Sequence, residues 1–474
     1  MTRLFLYLIL FFLFIFGCNT PDDNSFLEEE QEVTTKSSNE PFYLGGVHVN
    51  VVEMEHWLNT LKDVGMNTVE VTVYGRQWYW NTDYLTFDED EEVAKRLVEI
   101  RRAKEKGLKV VVVLRVQLQH WAKENQALWH GMIMPKSDSL LHSWFERYTA
   151  YNLKWAEICE REGVDVMVIG SEMNALSSTV ELTSMPWLYA YYNSWFRMTF
   201  NERRIIKYKE TLQDKNLWVQ GYNIKDNGEY WLEDYVNGRV SAFQRWADQV
   251  TFKNQDDPLQ KMNERRKLVK NSWVKLIQDV RKIYNGKLTY AANYDNYQEV
   301  DFWEHLDFIG INAYFPLREP TEELPSSAEL SAEFEENWQN VFKEINAFKK
   351  KKHLGGKPLL FTELGYTNYL NATVESWCGH GFTLLGWGLH EKLVVWEEQE
   401  KSQEERYLAV DALRKVTESY PTNLQGILYW KLTDYEGHLK EEPFGLYIQA
   451  PSKDPLQDVL VKFMKKQPIN EQNN

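Results

Sequence analysis

Val164-Asp165-Val166-Met167-Val168-Ile169-Gly170-Ser171-Glu172-Met173-Asn174 is an almost unbroken apolar run that ends in Gly, Ser and Glu. Such a run predicts a strand buried on both faces, as the strands of a parallel sheet are. In a closed parallel α/β barrel the C-terminal strand ends form the active-site face, so Glu172 is expected where chemistry is done. A second stretch, Lys357-Pro358-Leu359-Leu360-Phe361-Thr362-Glu363-Leu364-Gly365-Tyr366, has the same grammar. Two buried strands that each end in a glutamate predict a carboxyl pair across a barrel mouth, the equipment for cleaving a glycosidic bond.

Working outward, six further strand candidates accompany these two. They are Gly45 to Asn50, Asn67 to Tyr74, Lys109 to Val116, Leu288 to Asn293, Leu306 to Tyr314 and Gly426 to Lys431. Eight is the closing number of a (β/α)8 TIM barrel, which is the expected fold. Helical patterns from Glu91 to Lys106 and from Leu141 to Glu162 end at Gly107 and Gly163, the position of a C-terminal glycine cap, and a strand follows each. Two connections depart from this repeat. Asp295 to His305 is too short for a full helix, and Ala175 to Lys287 is several times longer than one unit needs. A helical insertion over about residues 176–280 is therefore expected after strand four, on the active-site face, where loops vary with function. Between Pro186 and Trp273 it carries Trp187, Tyr189, Tyr191, Tyr192, Trp195, Phe196, Trp218, Tyr222, Trp231 and Trp246. Most of these are read as a helix face packed on the barrel, with one or two as distal sugar contacts.

The ends of the chain read differently. Met1-Thr2-Arg3 and the apolar run to Phe16 make a signal peptide over residues 1–17, too short to span a bilayer comfortably as an anchor. Gly17-Cys18 resembles a bacterial lipoprotein signal, which implies lipidation of Cys18 and a place in the cell envelope, exposed on the outer-membrane surface. An ordinary secretory signal or an uncleaved anchor is the alternative. Residues 18–41 are polar and acidic and are read as a disordered tether. The catalytic domain is assigned to 42–450, with a tail over 451–474. With 43% hydrophobic and 14% aromatic residues the chain supports a large core. Its net charge of −16 leaves no basic surface for nucleic acid or anionic lipid, so membrane contact is expected through the anchor only, with a glycan as partner and a monomeric state. Cys159 and Cys378 are read as free core thiols, or as one disulfide after export. There is no phosphate loop, zinc motif or nucleophile elbow, and His48, His120 and His130 are assigned to hydrogen bonding, so no cofactor and no metal are expected.

From about Gly45 to Leu446 the chain resembles a clan A glycoside hydrolase, and within that clan glycoside hydrolase family 113, whose typical members are endo-β-1,4-mannanases. The resemblance is carried by Ile169-Gly170-Ser171-Glu172, Leu288 to Asn293, Asp307 to Leu317 and Phe361-Thr362-Glu363-Leu364-Gly365-Tyr366. It implies that Glu172 is the general acid/base, Glu363 the nucleophile, Tyr314 the hydrogen-bond partner of the nucleophile and Trp430 an aromatic platform under the sugar. Asn312, Asn293, Arg115 and Tyr74 are read as further substrate contacts. The implied activity is retaining, endo-acting cleavage of a β-1,4-linked polysaccharide, mannan or glucomannan first. Another β-glycan, or a surface protein that binds glycan without cleaving it, are the alternatives. Two positions depart from the pattern: Ser171 stands where clan A commonly has Asn, and Leu114-Arg115-Val116-Gln117 where the family has lysine and histidine.

Overall fold

Eight strands alternate along the chain with helices: β1 Tyr43–His48, β2 Thr68–Gln77, β3 Lys109–Leu118, β4 Val166–Ser171, β5 Lys287–Asn293, β6 Ile309–Asn312, β7 Leu359–Leu364 and β8 Leu424–Thr433. This is a computed structural model. It describes residues 42–465 apart from 88–89, 120–121, 126–127, 178–244, 320–324, 371, 375, 377–381, 386–391, 396–400 and 441. The signal segment, Cys18, the tether, His120, Cys378 and the insertion aromatics from Trp187 to Trp231 lie outside the described residues.

Each strand pairs in parallel with its sequence neighbours, and β1 pairs with both β2, at Gly45 and Thr68, and β8, at Gly45 and Leu428, which closes the barrel. The period-two alternation of β3 shows how the two layers form. Val111 and Val113 join Tyr43, Val166, Val168, Ala291, Phe308, Leu360 and Leu428 in the barrel interior. Val110, Val112 and Leu114 face outward into the larger cluster beneath the helices. Because both faces of the strand are buried, the sequence reads as continuous valine rather than as alternation.

The outer ring consists of α1 Met54–Asp63, α2 Asp90–Glu105, α3 Asp138–Glu162, α4 Pro258–Arg281, α5 Ser327–Lys351, α6 Glu404–Ser419 and α7 Pro455–Lys462. Gly107 at φ 75° and Gly163 at φ 65° adopt the left-handed conformation their cap positions require. Between β5 and β6 there are only the 3-10 turns Tyr297–Glu299 and Trp303–His305, the short connection expected there. Strand β6 is shorter than its apolar run, since Tyr314 turns out of the ladder with its N–H on Asn312 O.

Two stretches differ from the expected boundaries. Residues 258–281, expected within the insertion, form α4, started by the Asp257 side chain accepting from Gln260 N with Pro258 at the first position, and packed on α3. The chain beyond 450, expected as a tail, supplies α7, whose Leu456, Val459, Leu460 and following Phe463 recur at helical spacing and are buried. Cys159 is a free thiol buried in α3. Among the described residues no helix is long and apolar enough to cross a membrane.

Candidate active site

Both strand-end glutamates follow an irregularity in the ladder. Along β7, Gly310 of β6 faces Leu360 and Ile311 faces Phe361, but Asn312 faces Glu363, so one extra residue, Thr362, is inserted. Strict alternation would send Glu363 outward with Phe361, which packs on Phe342 and Trp338 of α5. The bulge instead turns Glu363 to the interior side that Asn312 occupies. A second register shift lies in β4 between Val168 and Ser171. Gly170 falls within it. A Cβ there would meet the Trp273 ring at 3.0 Å and Tyr148 Oη at 3.2 Å, so only glycine lets the strand lie this close to α3 and α4. Glu172 then takes φ 54°, and its N–H bonds Ala291 O of β5 at 2.8 Å. A left-handed conformation at a non-glycine residue costs on the order of 1–3 kcal/mol.

The two carboxyls are addressed by different donors. Glu172 receives the Asn312 amide on Oε1 at 3.0 Å and meets His130 Nε2 with Oε2 at 2.8 Å. Asn312 in turn accepts from Thr362 Oγ1 at 2.8 Å, so one asparagine side chain joins Glu172 to the residue preceding Glu363. Glu363 accepts the Tyr314 hydroxyl on Oε2 at 2.6 Å and is ion-paired through Oε1 with Arg115. Arg115 also lies 3.8 Å from Glu70 of β2, and its guanidinium sits 4.6 Å from the centre of the Trp430 ring.

Burial and these partners shift the two carboxyls in opposite directions. Burial alone would raise the Glu172 carboxyl, but hydrogen bonds from His130 and Asn312, with the charges of His130 and Arg115, hold it at about 2. Burial raises Glu363 above the usual carboxylate range despite Arg115, and the neighbouring Glu172 adds to the rise. Glu70, 2% exposed, is pushed up to about 8 by burial against the opposing charge of Arg115.

Of the other expected contacts, Tyr74 stands opposite Arg115 in the β2–β3 register, and Asn293 opposite Asn312 in the β5–β6 register; both are half-buried at the same rim. Trp430 is half-buried, and one use of its ring is already evident, the cation of Arg115 against it. Ser171 is buried, and its hydroxyl has no hydrogen-bond partner. His130 and Glu70 are the members the sequence reading did not place here. A charged residue among the valines of β2 was the available signal for Glu70. His130 was read only as a hydrogen-bonding residue, and nothing in the sequence named its partner, because it comes from the short 3-10 turn His130–Met132 between β3 and α3. Among the described residues no three His, Cys, Asp or Glu side chains are grouped to hold a metal ion.

A closed parallel barrel that presents a carboxyl pair at its C-terminal rim is the arrangement of the barrel glycoside hydrolases. Glycoside hydrolase family 113 matches the chain over residues 48–183 and 258–408, and the chain belongs to that family. The interruption falls in the segment already set apart by its length. Solved structures of similar fold include two from family 113. One is a family 113 β-1,4-mannanase in a complex, with a TM-score of 0.53 and 16% identity over 90% of this chain and 100% of that one. The other is the family 113 β-mannanase AaManA from Alicyclobacillus acidocaldarius bound to ManMIm, with a TM-score of 0.52 and 14% identity over 90% and 98%. No curated protein matches the chain.

Proposed function

We propose that this glycoside hydrolase is a retaining, endo-acting β-mannanase, with Glu363 as nucleophile and Glu172 as general acid/base. The observation that carries the reading is the pair of unlike grips: Glu363 is fixed by a hydroxyl and a guanidinium, while Glu172 is held by an amide and an imidazole. Arg115 and Tyr314 point the Glu363 oxygens and stabilise the charge needed for attack on the anomeric carbon. Glu172 is joined to that site through Asn312 and Thr362, and gives a proton to the departing glycosidic oxygen. It later takes one from the water that opens the glycosyl-enzyme. Mannan is favoured as substrate because the similar structures are named β-mannanases.

Hydrolysis is followed on mannan, glucomannan, xylan and β-glucan. Glu363→Gln should remove almost all turnover. Glu172→Gln should slow natural glycans by 10²-fold or more while sparing aryl glycosides with good leaving groups, the range general acid catalysis supplies. Unchanged turnover in both variants overturns the reading. Cleavage of another glycan but not mannan changes the substrate and leaves the mechanism.

A further inference from the structure

A general acid has to carry a proton, and against the pull of burial the hydrogen bonds from His130 and Asn312 hold the Glu172 carboxyl below its ordinary range. The nearest place for that proton is His130. Its Nε2 is 2.8 Å from Glu172 Oε2, while Asn312 occupies the other carboxyl oxygen. The imidazole opens the 3-10 turn His130–Met132 and is held edge-on by the Trp129 ring, with centres 4.8 Å apart. Its side chain is 31% exposed against 12% for Glu172, so it is the member of the pair that reaches solvent.

We propose that His130 and Glu172 share one proton and work as a unit, His130 as the positioning residue that holds the proton between steps and Glu172 as the group that delivers it. The inference rests on Glu172 being the acid/base. In the resting pair the proton is on Nε2. In the first half-reaction the N–H bond breaks as an O–H bond forms at Oε2; that O–H bond then breaks as the glycosidic oxygen takes the proton together with the electron pair of its severed C–O bond. Neutral imidazole and carboxylate remain. In the second half-reaction the attacking water loses a proton to Oε2, which passes to Nε2, and the pair is restored with no net proton gained.

Imidazole changes charge near neutrality, where a carboxyl on its own is already ionised. The unit therefore keeps a donor available to higher pH than Glu172 alone. The other groups facing Glu172 do not replace it. Arg115 on β3 is paired with Glu363 on β7, the Tyr314 hydroxyl just beyond β6 donates to Glu363, and the Tyr290 hydroxyl on β5 accepts from Met173 N–H. Asp295, just beyond β5, is the competitor, because burial pushes it up to about 7.

The test is the pH dependence of kcat/KM on mannan, or on whichever glycan of the panel is cleaved, for wild type, His130→Gln and Asp295→Asn. The function reading is secured first by wild-type turnover that Glu363→Gln abolishes. Gln keeps a donor beside Glu172 but has no proton to give, so His130→Gln should move the alkaline limb acid-ward by about one pH unit or more. It should lose about tenfold or more at pH 7 on glycan and little on an activated aryl glycoside. Added imidazole should restore part of the activity of His130→Ala, since the site is partly open. An alkaline limb that stays in place in His130→Gln, or that moves in Asp295→Asn instead, overturns the proposal while leaving the hydrolase reading intact.

Discussion

Glu70 is buried beside Arg115, where Thr72 donates to its Oε1 and Oε2 has no hydrogen-bond partner. In the folded protein its proton is held to about pH 8, whereas an exposed carboxyl releases it near 4.5. Between those values the folded state binds a proton that the unfolded chain does not, so this residue's contribution to stability declines as pH rises from about 4.5 to about 8. Glutamine has nearly the same shape and does not titrate. Glu70→Gln should therefore gain on wild type as pH rises, by up to a few kcal/mol at pH 9 relative to pH 5. Urea unfolding midpoints of both proteins at the two pH values test this, and midpoints that shift in parallel would sink it. At this scale Glu172 and Glu363 stood out in the sequence because each ends an apolar run, whereas Tyr314 and Arg115 came only with the family resemblance. Glu70 was marked only as a charge among valines and His130 only as a hydrogen-bonding residue, since what matters in both is a neighbour about forty residues or more away.

Within single elements, the packing behind β4 sets the position of Glu172. Gly170 backs onto Trp273, which is fully buried among Phe145, Tyr148, Tyr290 and Phe302 and tied by its indole N–H to Leu176 O at 2.8 Å. A ring held on so many sides cannot move by the few tenths of an ångström that a methyl group needs. Gly170→Ala should cost about 1–3 kcal/mol by overpacking. Because the strain falls two residues from Glu172, kcat should drop more than KM rises. Thermal unfolding with steady-state kinetics measures both, and a variant with wild-type melting and kcat would show that the strand has slack. The strands themselves were readable from their apolar runs and glycine caps. The two register shifts were not, because a bulge is defined by the partner strand as much as by its own residues, and it is the bulge that decides which way Glu363 points.

Across the molecule, the short β5–β6 connection and the eightfold count followed from spacing alone, while α7 was missed because its amphipathic run is brief and follows polar chain. The link from Arg115 to Glu363 joins residues 248 positions apart, and that from Asn312 to Glu172 joins residues 140 apart. Neither half of the barrel holds both carboxyls by itself. Contacts so remote along the chain form late, after loop closure has been opposed by its entropy, whereas helices and neighbouring strands need only local contacts. On dilution from denaturant, helical circular dichroism should therefore recover before hydrolytic activity, with a measurable interval between the two. If the signals return together at every temperature, closure is not the last event. The enzyme's birth is then a matter of timing: on a ribosome, a chain released only as far as β6 would already carry Glu172 and would still lack Glu363 to face it.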